Sequence, residues 1–508
     1  MNLCRYLLEK GDASAPALLT ANRSYTYADL AKAAASVAGY LTESGGRKGE
    51  RVLLASEGGF FWVSVYLGVA QAGLVCVPLP SKIGPTELKA IVSSVEPRFA
   101  FLEQKLAPKL LSEMGSIKLI VDGGPSAPLA EATSFNDVES FCGHGAQFME
   151  LDPDDLAALM FTSGSTGLPR GTMVSVRNII ANTDSINEYL GIMAADRIMA
   201  ILPFHYCFGA SLLHTHLRAG GSVVVDSRFM YPDLVLERMV QTKCTGFAGV
   251  PSHYQILLRR SSLRRMSFPH LRYVQQAGGH LAPTFVNALR EALPGKQIFI
   301  MYGQTEATAR LAYLPPELLA TKQGAIGRAI PGVTLEVLDD RGRPVLPGQI
   351  GEIVARGENV TLGYWRDENE TAKCFRDDRL YTGDLATVDE EGLIYIVDRA
   401  KDFVKCGGQR VSCRMLEDVL LESDLLVEAA VVGFPDEVLG EAVRAFVVPC
   451  NRNTDSIRDK VIEHCRRRLP PQQVPKEVIT RGSLPKNSSG KVLKQSLREH
   501  GMSVGRHA

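Results

Sequence analysis

Short apolar runs alternate with segments of helical periodicity up to about residue 325 of this chain. Between residues 25 and 79 the pattern indicates a helix (27–41), a strand (52–55), a second helix (60–72) and a second strand (74–79). Such alternation predicts strands joined by crossover helices, and hence a mostly parallel sheet covered by helices. Because 508 residues exceed one ordinary hydrophobic core, we expect two or more domains.

The same pattern continues along the chain and then changes. Further apolar runs fit buried strands, at 99–102, 117–121, 156–161, 198–202, 223–225, 246–250 and 298–301. Residues 122–150 are rich in glycine and proline and are predicted to form an exposed connection. Beyond about residue 325, short strands and turn residues indicate a small β-rich subdomain over 325–397.

The predicted fold class is therefore α/β, with a large N-terminal domain (1–397) of doubly wound, mostly parallel sheets plus the β-rich subdomain. The charged run 398–402 is the best candidate for a hinge. Residues 403–508 then form a smaller α+β C-terminal domain.

Charge and cysteine content exclude several classes of protein. Lys and Arg together number 56, as do Asp and Glu, so the chain has no general attraction for nucleic acid or anionic membranes. None of the ten cysteines forms a Cys-x-x-Cys pair, which favours reduced thiols. Charges interrupt the N-terminal apolar run, and no run approaches the ~20 residues that span a bilayer. We expect a soluble cytoplasmic enzyme without a membrane span or a nucleic-acid partner.

A glycine- and hydroxyl-rich stretch, Thr162 to Gly171, directly follows the predicted strand 156–161. Glycines let the backbone approach a ligand closely, so that successive N–H groups converge on an anion. Arg170 adds a planar cation suited to phosphate. The stretch lacks the Gly-Lys-Ser/Thr ending of a Walker A loop. It predicts a polyphosphate-binding loop, with a flexible surface linker as the alternative.

The order Thr-Ser-Gly-Ser-Thr-Gly-x-Pro-x-Gly in this stretch resembles the signature of the AMP-forming adenylating enzymes. This superfamily includes acyl- and aryl-CoA synthetases, peptide-synthetase adenylation domains and luciferases. Further segments resemble its other motifs in the same order: Tyr302-Gly303-Gln304-Thr305-Glu306, Tyr381-Thr382-Gly383-Asp384, 405–411 and 484–492. The resemblance covers essentially the whole chain, and it implies a C-terminal domain that rotates on the hinge between two half-reactions.

The resemblance assigns a role to each matching residue. The ATP-binding residues that it implies are Thr162, Ser163, Gly164, Ser165, Thr166, Gly167, Arg170, Gly279, His280, Tyr302, Gly303, Thr305, Asp384 and Arg399. Tyr302 would stack on adenine, Thr305 would contact phosphate, and Glu306 would bind Mg²⁺. Asp384 would accept hydrogen bonds from both ribose hydroxyls, as a carboxylate can, and Arg399 would also contact ribose. Taken alone, each of these motifs would be an ordinary turn.

Lysines and glycines near the C-terminus complete the implied machinery. Lys491 would be the catalytic lysine, acting with Thr305 and Glu306 and bridging the substrate carboxylate and the α-phosphate. Lys401 matches the hinge position, and Lys405, Gly407 and Gly408 match the segment used in the thioester step. Without the resemblance, these segments would be a solvated basic tail and a plain glycine turn.

The segment Leu202 to Gly209 resembles the lining of the family's acyl pocket. His205, Tyr206, Gly278 and Gly279 are the pocket residues that the resemblance implies. Cys207 stands where amino-acid-activating members carry an aspartate that pairs with the α-ammonium group. A thiol cannot supply that counter-charge, so an α-amino acid is disfavoured.

These observations predict ATP-dependent activation of a carboxylic acid, fatty, aryl or other, to an acyl-adenylate with release of pyrophosphate. The acyl group would then pass to a thiol, that of coenzyme A or, alternatively, of a phosphopantetheinyl carrier protein. A second alternative is a non-catalytic nucleotide-binding relative. Two departures from the family pattern motivate it: Arg170 replaces the usual lysine, and Val176 stands where many members have histidine.

Overall fold

The structure is a computed structural model, and it describes residues 1–107, 117–123, 132–141, 147–163, 169–399, 403–451, 456–487 and 490–504. The α-helices within these residues are α1 (Leu3–Leu8), α2 (Tyr27–Glu43), α3 (Phe60–Gln71), α4 (Pro85–Val95), α5 (Phe135–Glu139), α6 (Val176–Leu190), α7 (Cys207–Arg218), α8 (Pro232–Gln241), α9 (Pro251–Arg260), α10 (Pro283–Ala292), α11 (Glu368–Cys374), α12 (Cys413–Leu421), α13 (Ile457–Arg466) and α14 (Lys494–Val504).

The strands up to the predicted hinge are β1 (Pro16–Leu19), β2 (Ser24–Thr26), β3 (Arg51–Ala55), β4 (Val75–Leu79), β5 (Phe99–Leu102), β6 (Lys118–Val121), β7 (Thr133–Ser134), β8 (Leu156–Ser163), β9 (Pro169–Ser175), β10 (Arg197–Ala200), β11 (Ser222–Val225), β12 (Gly246–Gly249), β13 (Tyr273–Gln276), β14 (Gln297–Tyr302), β15 (Ala312–Leu314), β16 (Arg328–Ala329), β17 (Val333–Leu338), β18 (Gly351–Gly357), β19 (Phe375–Arg376), β20 (Arg379–Val388) and β21 (Ile394–Arg399). The strands after it are β22 (Phe403–Cys406), β23 (Gln409–Ser412), β24 (Leu426–Asp436), β25 (Gly440–Pro449) and β26 (Glu477–Thr480).

Two large, mostly parallel sheets form the N-terminal part of the molecule. One has the order β16-β15-β14-β13-β12-β10-β11-β1-β2, and the other has the order β7-β6-β5-β3-β4-β8-β9. The central pairs of both sheets are parallel, and antiparallel pairs occur at their edges. This arrangement confirms the predicted α/β class, because the crossover helices place successive strands side by side in one direction.

Helices α3 and α7 lie in the layer between the two large sheets. Both are buried on almost every face: α3 is apolar around its whole circumference, whereas α7 also buries polar side chains such as His214 and His216. One continuous core joins them to both sheets, through residues such as Leu54 of β3 and Ala248 of β12. Side chains at the carboxyl ends of the β12 to β14 strands therefore meet the start of α7.

Two smaller sheets follow along the chain. Strands β17 to β21 form a five-stranded antiparallel sheet, and strands β22 to β26 form a second five-stranded sheet. Strands β21 and β22, on either side of the predicted hinge 398–402, belong to different sheets. The domain boundaries drawn from the sequence remain a prediction, and residues 400–402 lie outside the described residues.

The glycine-rich stretch departs from its predicted form. Thr162 and Ser163 continue strand β8, and residues 169–171 already belong to β9, with Thr162 paired opposite Arg170. The expectation of a loop over all of 162–171 was therefore wrong, because apolar neighbours in both strands extend the antiparallel pair. The predicted phosphate-loop residues Gly164, Ser165, Thr166 and Gly167 lie outside the described residues.

The predicted connection 122–150 also contains regular structure. It includes β7 and the short helix α5, whose Phe135 and Val138 are buried in the main core.

Strand β13 and helix α4 had not been predicted. No disulfide joins the cysteines of the described residues. Among those residues no helix is both long and apolar enough to cross a membrane.

Candidate active site

The motif after β14 lies at the carboxyl end of its strand, as predicted. Tyr302 is the last residue of β14, and Thr305 begins a single 3₁₀ turn. Gly303 is required here, because a Cβ at this position would lie 2.0 Å from the Ala309 carbonyl oxygen. The chain can therefore fold back on itself and present Thr305 and Glu306 at the same edge of the sheet.

Tyr302 and Asp384, the residues predicted for adenine and ribose, are in direct contact. The Tyr302 hydroxyl donates to Asp384 Oδ2 at 2.6 Å, and both residues are buried. The backbone of Arg399 is the Cα partner of Asp384 across strands β20 and β21. Tyr302, Asp384 and Arg399, which span almost 100 positions of the sequence, thus meet where a nucleoside could bind.

Glu306 accepts a hydrogen bond from Tyr364, a residue that the sequence analysis had not singled out. The Tyr364 hydroxyl donates to Glu306 Oε1 at 2.8 Å. Burial, followed by the neighbouring carboxylate, raises the pKa of Tyr364 well above its usual range, so Tyr364 remains a hydrogen-bond donor. No local signal marks this tyrosine, since it follows Glu306 by 58 residues.

Arg170 forms ion pairs with acidic side chains at the start of helix α11. Its Nη1 lies 2.9 Å from Glu370 Oε2, and its Nε lies 3.7 Å from Asp367 Oδ2. Its guanidinium carbon lies 5.8 Å from the centre of the Tyr364 ring. The arginine thus connects the start of β9 to the tyrosine that holds Glu306. Its predicted contact with phosphate remains a prediction.

The predicted metal site rests on Glu306 alone. Within the described ranges, no group of three or more His, Cys, Asp or Glu side chains is arranged to hold a metal ion. Mg²⁺ in phosphate-transferring sites is commonly held by one or two carboxylates together with substrate phosphates. A single carboxylate at the end of β14 fits that pattern, because the phosphates would supply the other ligands.

The residues predicted for the acyl pocket surround the start of α7. Gly278 leaves space for Tyr206, since a Cβ at Gly278 would lie 3.0 Å from the Tyr206 hydroxyl and 3.0 Å from Val250 Cγ1. Gly279 lies against Pro251. Burial lowers the pKa of His205 to about 4, so its imidazole is neutral near pH 7. A neutral, buried His205 fits a structural role at least as well as a catalytic one.

A cavity extends along α7 from this point. Cys207, Ala210, Ser211 and His214 line it, and these residues recur on one face of the helix. The Thr305 hydroxyl donates to Cys207 Sγ at 3.4 Å, so the cavity begins beside the β14 motif. The sequence analysis did not identify Ser211 and His214 as pocket residues. Their helical spacing from Cys207 could have indicated that they share its face of α7.

Lys491 lies in a tight hairpin that contacts the N-terminal domain. Its backbone N–H donates to Asn487 Oδ1 at 2.9 Å, and the Asn487 N–H donates back to the Lys491 carbonyl at 2.9 Å. Gly490 has a φ of +83°, and a Cβ there would lie 3.1 Å from Val250 Cγ2. The Ser252 hydroxyl donates to the Gly490 carbonyl at 3.2 Å. The hairpin therefore rests on the segment that also contacts Gly278 and Gly279.

His280 connects the two domains. Arg414 Nη2 lies 2.6 Å from His280 Nδ1, and His280 Nε2 lies 2.8 Å from Asp418 Oδ1. Because an arginine can only donate, Nδ1 accepts and Nε2 carries the proton that Asp418 accepts. Burial and the adjacent Arg414 lower the pKa of His280, which agrees with a neutral ring. The sequence had assigned His280 to ATP, whereas these contacts are with helix α12.

Lys405, Gly407 and Gly408 lie elsewhere on the C-terminal domain. Gly407 and Gly408, with φ of +56° and +80°, form the two-residue turn between β22 and β23. Positive φ at both positions is typical of a type I′ hairpin turn. The hairpin packs on Leu439 and β25 of its own domain. Lys401 lies outside the described residues, so its hinge role stays a prediction.

The fold and these motifs define an AMP-forming adenylating enzyme. The family model for AMP-binding enzymes matches residues 9–365, and that for the AMP-binding enzyme C-terminal domain matches residues 415–491. The chain belongs to this family.

Individual relatives match over almost the full length. A long-chain-fatty-acid–CoA ligase of Escherichia coli O157:H7 is 30% identical over 96% of this chain and 92% of its own. A feruloyl-CoA synthase of an Amycolatopsis species is 31% identical over 93% of each chain. The crystal structure of ATP-bound MatB from Rhodopseudomonas palustris is 29% identical, covers 99% of this chain and 100% of its own, and has a TM-score of 0.87.

Proposed function

We propose that this protein is an AMP-forming acid–thiol ligase that uses ATP to activate a carboxylic acid and then transfers the acyl group to coenzyme A. The observation that carries the proposal is the position of the Lys491 hairpin. A Cβ added at Gly278 or at Gly490 would lie 3.0 or 3.1 Å from the Val250 side chain, and one at Gly278 would also lie 3.0 Å from the Tyr206 hydroxyl. The predicted acyl pocket and the predicted catalytic lysine therefore share one boundary.

The first half-reaction is an in-line substitution at the α-phosphorus of ATP. An oxygen of the substrate carboxylate forms a bond to this phosphorus, and the bond to the pyrophosphate oxygen breaks. The Lys491 cation stabilises the negative charge shared between the carboxylate and the α-phosphate. Asp384 and Tyr302 position the nucleoside, so that much of the rate arises from orientation. Glu306 and the phosphates would hold Mg²⁺, which offsets the phosphate charge when bound.

In the second half-reaction a thiol sulfur attacks the carbonyl carbon of the acyl-adenylate. AMP departs with the electron pair of the broken carbon–oxygen bond, and the thiol proton passes to solvent. Gly407 and Gly408 lie in a hairpin that packs on its own domain. We propose that the C-terminal domain then rotates about the hinge near Lys401. In this rotation the Lys491 hairpin leaves the acyl pocket, and the hairpin of Gly407 and Gly408 takes its place. The relatives named above as CoA ligases support coenzyme A as the acceptor.

Acid-dependent exchange between ATP and labelled pyrophosphate tests the first half-reaction. Lys491→Ala should lower the exchange rate by about 100-fold or more, in the range found for loss of one transition-state donor. Lys460→Ala, on the exposed face of α13, is the matched control and should retain the wild-type rate. Both variants should melt at the wild-type temperature. Wild-type exchange in Lys491→Ala would show that Lys491 is not the catalytic lysine.

The acceptor is tested separately on the acyl-adenylate formed by the enzyme. Addition of coenzyme A should release AMP and yield a thioester. Release of AMP only with a phosphopantetheinyl carrier protein would favour that alternative acceptor. ATP binding without acid-dependent exchange, over a panel of fatty, aryl and dicarboxylic acids, would indicate the non-catalytic relative.

A further inference from the structure

Arg310 is a buried cation with unsatisfied hydrogen-bond donors. Its side chain is only 1% exposed, and its Nε and Nη2 have no hydrogen-bond partner among the described residues. Nη1 is 3.5 Å from the Ala309 carbonyl oxygen, a weak contact at best. Burial lowers the pKa of the guanidinium, and no carboxylate of the described residues lies near enough to counter this. An arginine remains charged even so.

The surroundings of the guanidinium offset only part of this cost. Its central carbon lies 3.9 Å above the centre of the Phe208 ring, and its polar neighbours are Tyr206, Cys207 and Tyr189, the last of which shares a side-chain hydrogen bond with it. A cation–π contact and a hydrogen bond to a neutral hydroxyl are weaker than a charge-paired hydrogen bond, and they leave Nε and Nη2 unsatisfied. Buried charges in proteins are normally paired with an opposite charge, and no carboxylate of the described residues pairs with this one.

The guanidinium lies beside the predicted acyl pocket. Cys207 both faces Arg310 and lines the cavity along α7. Ala309, the residue before Arg310, also lines the cavity, as does Asn182, whose amide donates to the Arg310 carbonyl at 3.1 Å. The Cys207 thiol is also the acceptor for the Thr305 hydroxyl. Arg310 does not itself line the cavity, but Cys207 is a common neighbour of the guanidinium, the cavity and the Thr305 hydroxyl.

A second buried polar group lies on strand β13. Gln275 is 1% exposed, and within the described part of the chain neither Oε1 nor Nε2 of its side chain has a partner. Gln275 is paired in register with Phe299, whose ring lies 6.2 Å from the ring of Tyr189, which faces Arg310. Residues directly opposite each other on adjacent strands share one face of a sheet. Gln275 is thus a second buried side chain without a partner among the described residues, and Phe299 and Tyr189 lie between it and Arg310.

We infer that the acid activated by this enzyme carries a second carboxylate, which Arg310 binds while the first carboxylate reacts with ATP. This inference rests on the proposed function and specifies its substrate as a dicarboxylic acid. A carboxylate neutralises the buried charge and accepts two parallel N–H bonds from one guanidinium. A hydroxyl or carbonyl group would accept a hydrogen bond but would leave the charge uncompensated. The same cation repels an α-ammonium group, which disfavours α-amino acids as substrates. The cysteine at position 207, where amino-acid-activating members carry an aspartate, points the same way.

Matched pairs of acids with equal carbon number provide the test: propanoate and malonate, butanoate and succinate, hexanoate and adipate. For at least one pair, the wild-type kcat/KM for acid-dependent adenylation should be about 100-fold higher with the diacid. A site that hydrogen-bonds a substrate group rejects the analogue that lacks this group. Equal or higher kcat/KM with the monoacid in every pair would overturn the inference.

Arg310→Met removes the charge and keeps an unbranched side chain of similar length. Its kcat/KM with the preferred diacid should fall about 100-fold, because charge-assisted hydrogen bonds are lost. Its kcat/KM with the matched monoacid should rise, which a merely structural role would not produce. Arg328→Met is the matched control, because Arg328 also lies over an aromatic ring, 5.8 Å from the centre of Tyr313, but is exposed. The control should retain the wild-type preference.

A binding measurement separates failure of this inference from failure of the proposed function. Calorimetric titration of the diacid itself, without ATP, should show binding to the wild type and at least tenfold weaker binding to Arg310→Met. Absence of pyrophosphate exchange together with Arg310-dependent diacid binding would contradict the proposed function only. Exchange with monoacids, and equal diacid binding by both proteins, would overturn the inference only. The melting temperature of Arg310→Met should be no lower than that of the wild type, since an unpaired buried charge is removed.

Discussion

Gly490→Ala should selectively impair the adenylation half-reaction. Gly490 has two separate requirements for glycine: a φ of +83°, and a distance of 3.1 Å between an added Cβ and Val250 Cγ2 on the other domain. The positive φ destabilises alanine relative to glycine by roughly 1–2 kcal/mol, and this cost is the same in every orientation of the C-terminal domain. The contact with Val250 exists only while the hairpin rests on the N-terminal domain, so crowding disfavours that orientation alone.

The size of the effect follows from the crowding term. Added atoms in a packed contact typically cost about 1–3 kcal/mol. Each 1.36 kcal/mol is a factor of ten in a rate that depends on the docked orientation, so adenylation should slow by about 5- to 150-fold. Transfer of the acyl group from preformed acyl-adenylate to coenzyme A should keep a rate close to the wild type, because in the proposed mechanism this step uses the other orientation.

Single-turnover measurements of each half-reaction provide the assay. Gly440→Ala is the control for the backbone term, because Gly440 has a φ of +76° in the same domain and a Cβ there would meet only the Lys405 carbonyl, at 3.8 Å. If Gly490→Ala slowed both half-reactions equally, or if Gly440→Ala slowed adenylation as much, the argument from the Val250 contact would be refuted.

Two further predictions concern charge. Arg170→Lys keeps the cation but cannot reach both acidic side chains of α11 at once, so we expect a free energy of unfolding lower by about 0.5–1 kcal/mol in denaturant titrations and a higher KM for ATP; unchanged ATP kinetics would mean that the guanidinium is incidental. Burial lowers the pKa of His205 and His216 to about 4 and of His214 and His253 to about 3. The unfolded chain, with histidine pKa near 6.5, then binds more protons below pH 6.5, so stability present above that pH is lost as the pH falls towards 4. Each histidine should contribute a loss of about 1.4 kcal/mol at pH 5.5, and a melting temperature unchanged between pH 7.5 and 5.5 would contradict this.

The sequence predicted the architecture well where the signal was local. The apolar runs at 52–55 and 99–102 coincide with β3 and β5, because a buried parallel strand needs an uninterrupted apolar segment. The motif at Tyr302 was placed correctly at the end of β14 for the same reason. The prediction of a loop over 162–171 was wrong at both ends, which belong to β8 and β9. Small polar residues can continue a strand once its partner is in register.

Contacts between distant residues could not be predicted from the sequence. Arg170 gave a chemical hypothesis about phosphate, but nothing local indicated its ion pair with Glu370, 200 positions later. The contacts of His280 with Arg414 and Asp418 arise from the docking of two domains, and neither partner belongs to a recognisable motif. Arg310 has no feature in the sequence that distinguishes it from an exposed arginine. Only its burial and the absence of partners for Nε and Nη2 do so.

The charged contacts near His280 bear on how easily the two domains separate. Several contacts between the domains are made by charged side chains, including Arg414 with His280 and Arg259 with Asp424 at 2.8 Å. In the rotation proposed above, these side chains would become hydrated at little cost. An interface of purely apolar side chains would instead expose an adhesive patch whenever the domains separate. The charged contacts thus lower the cost of separating the two domains.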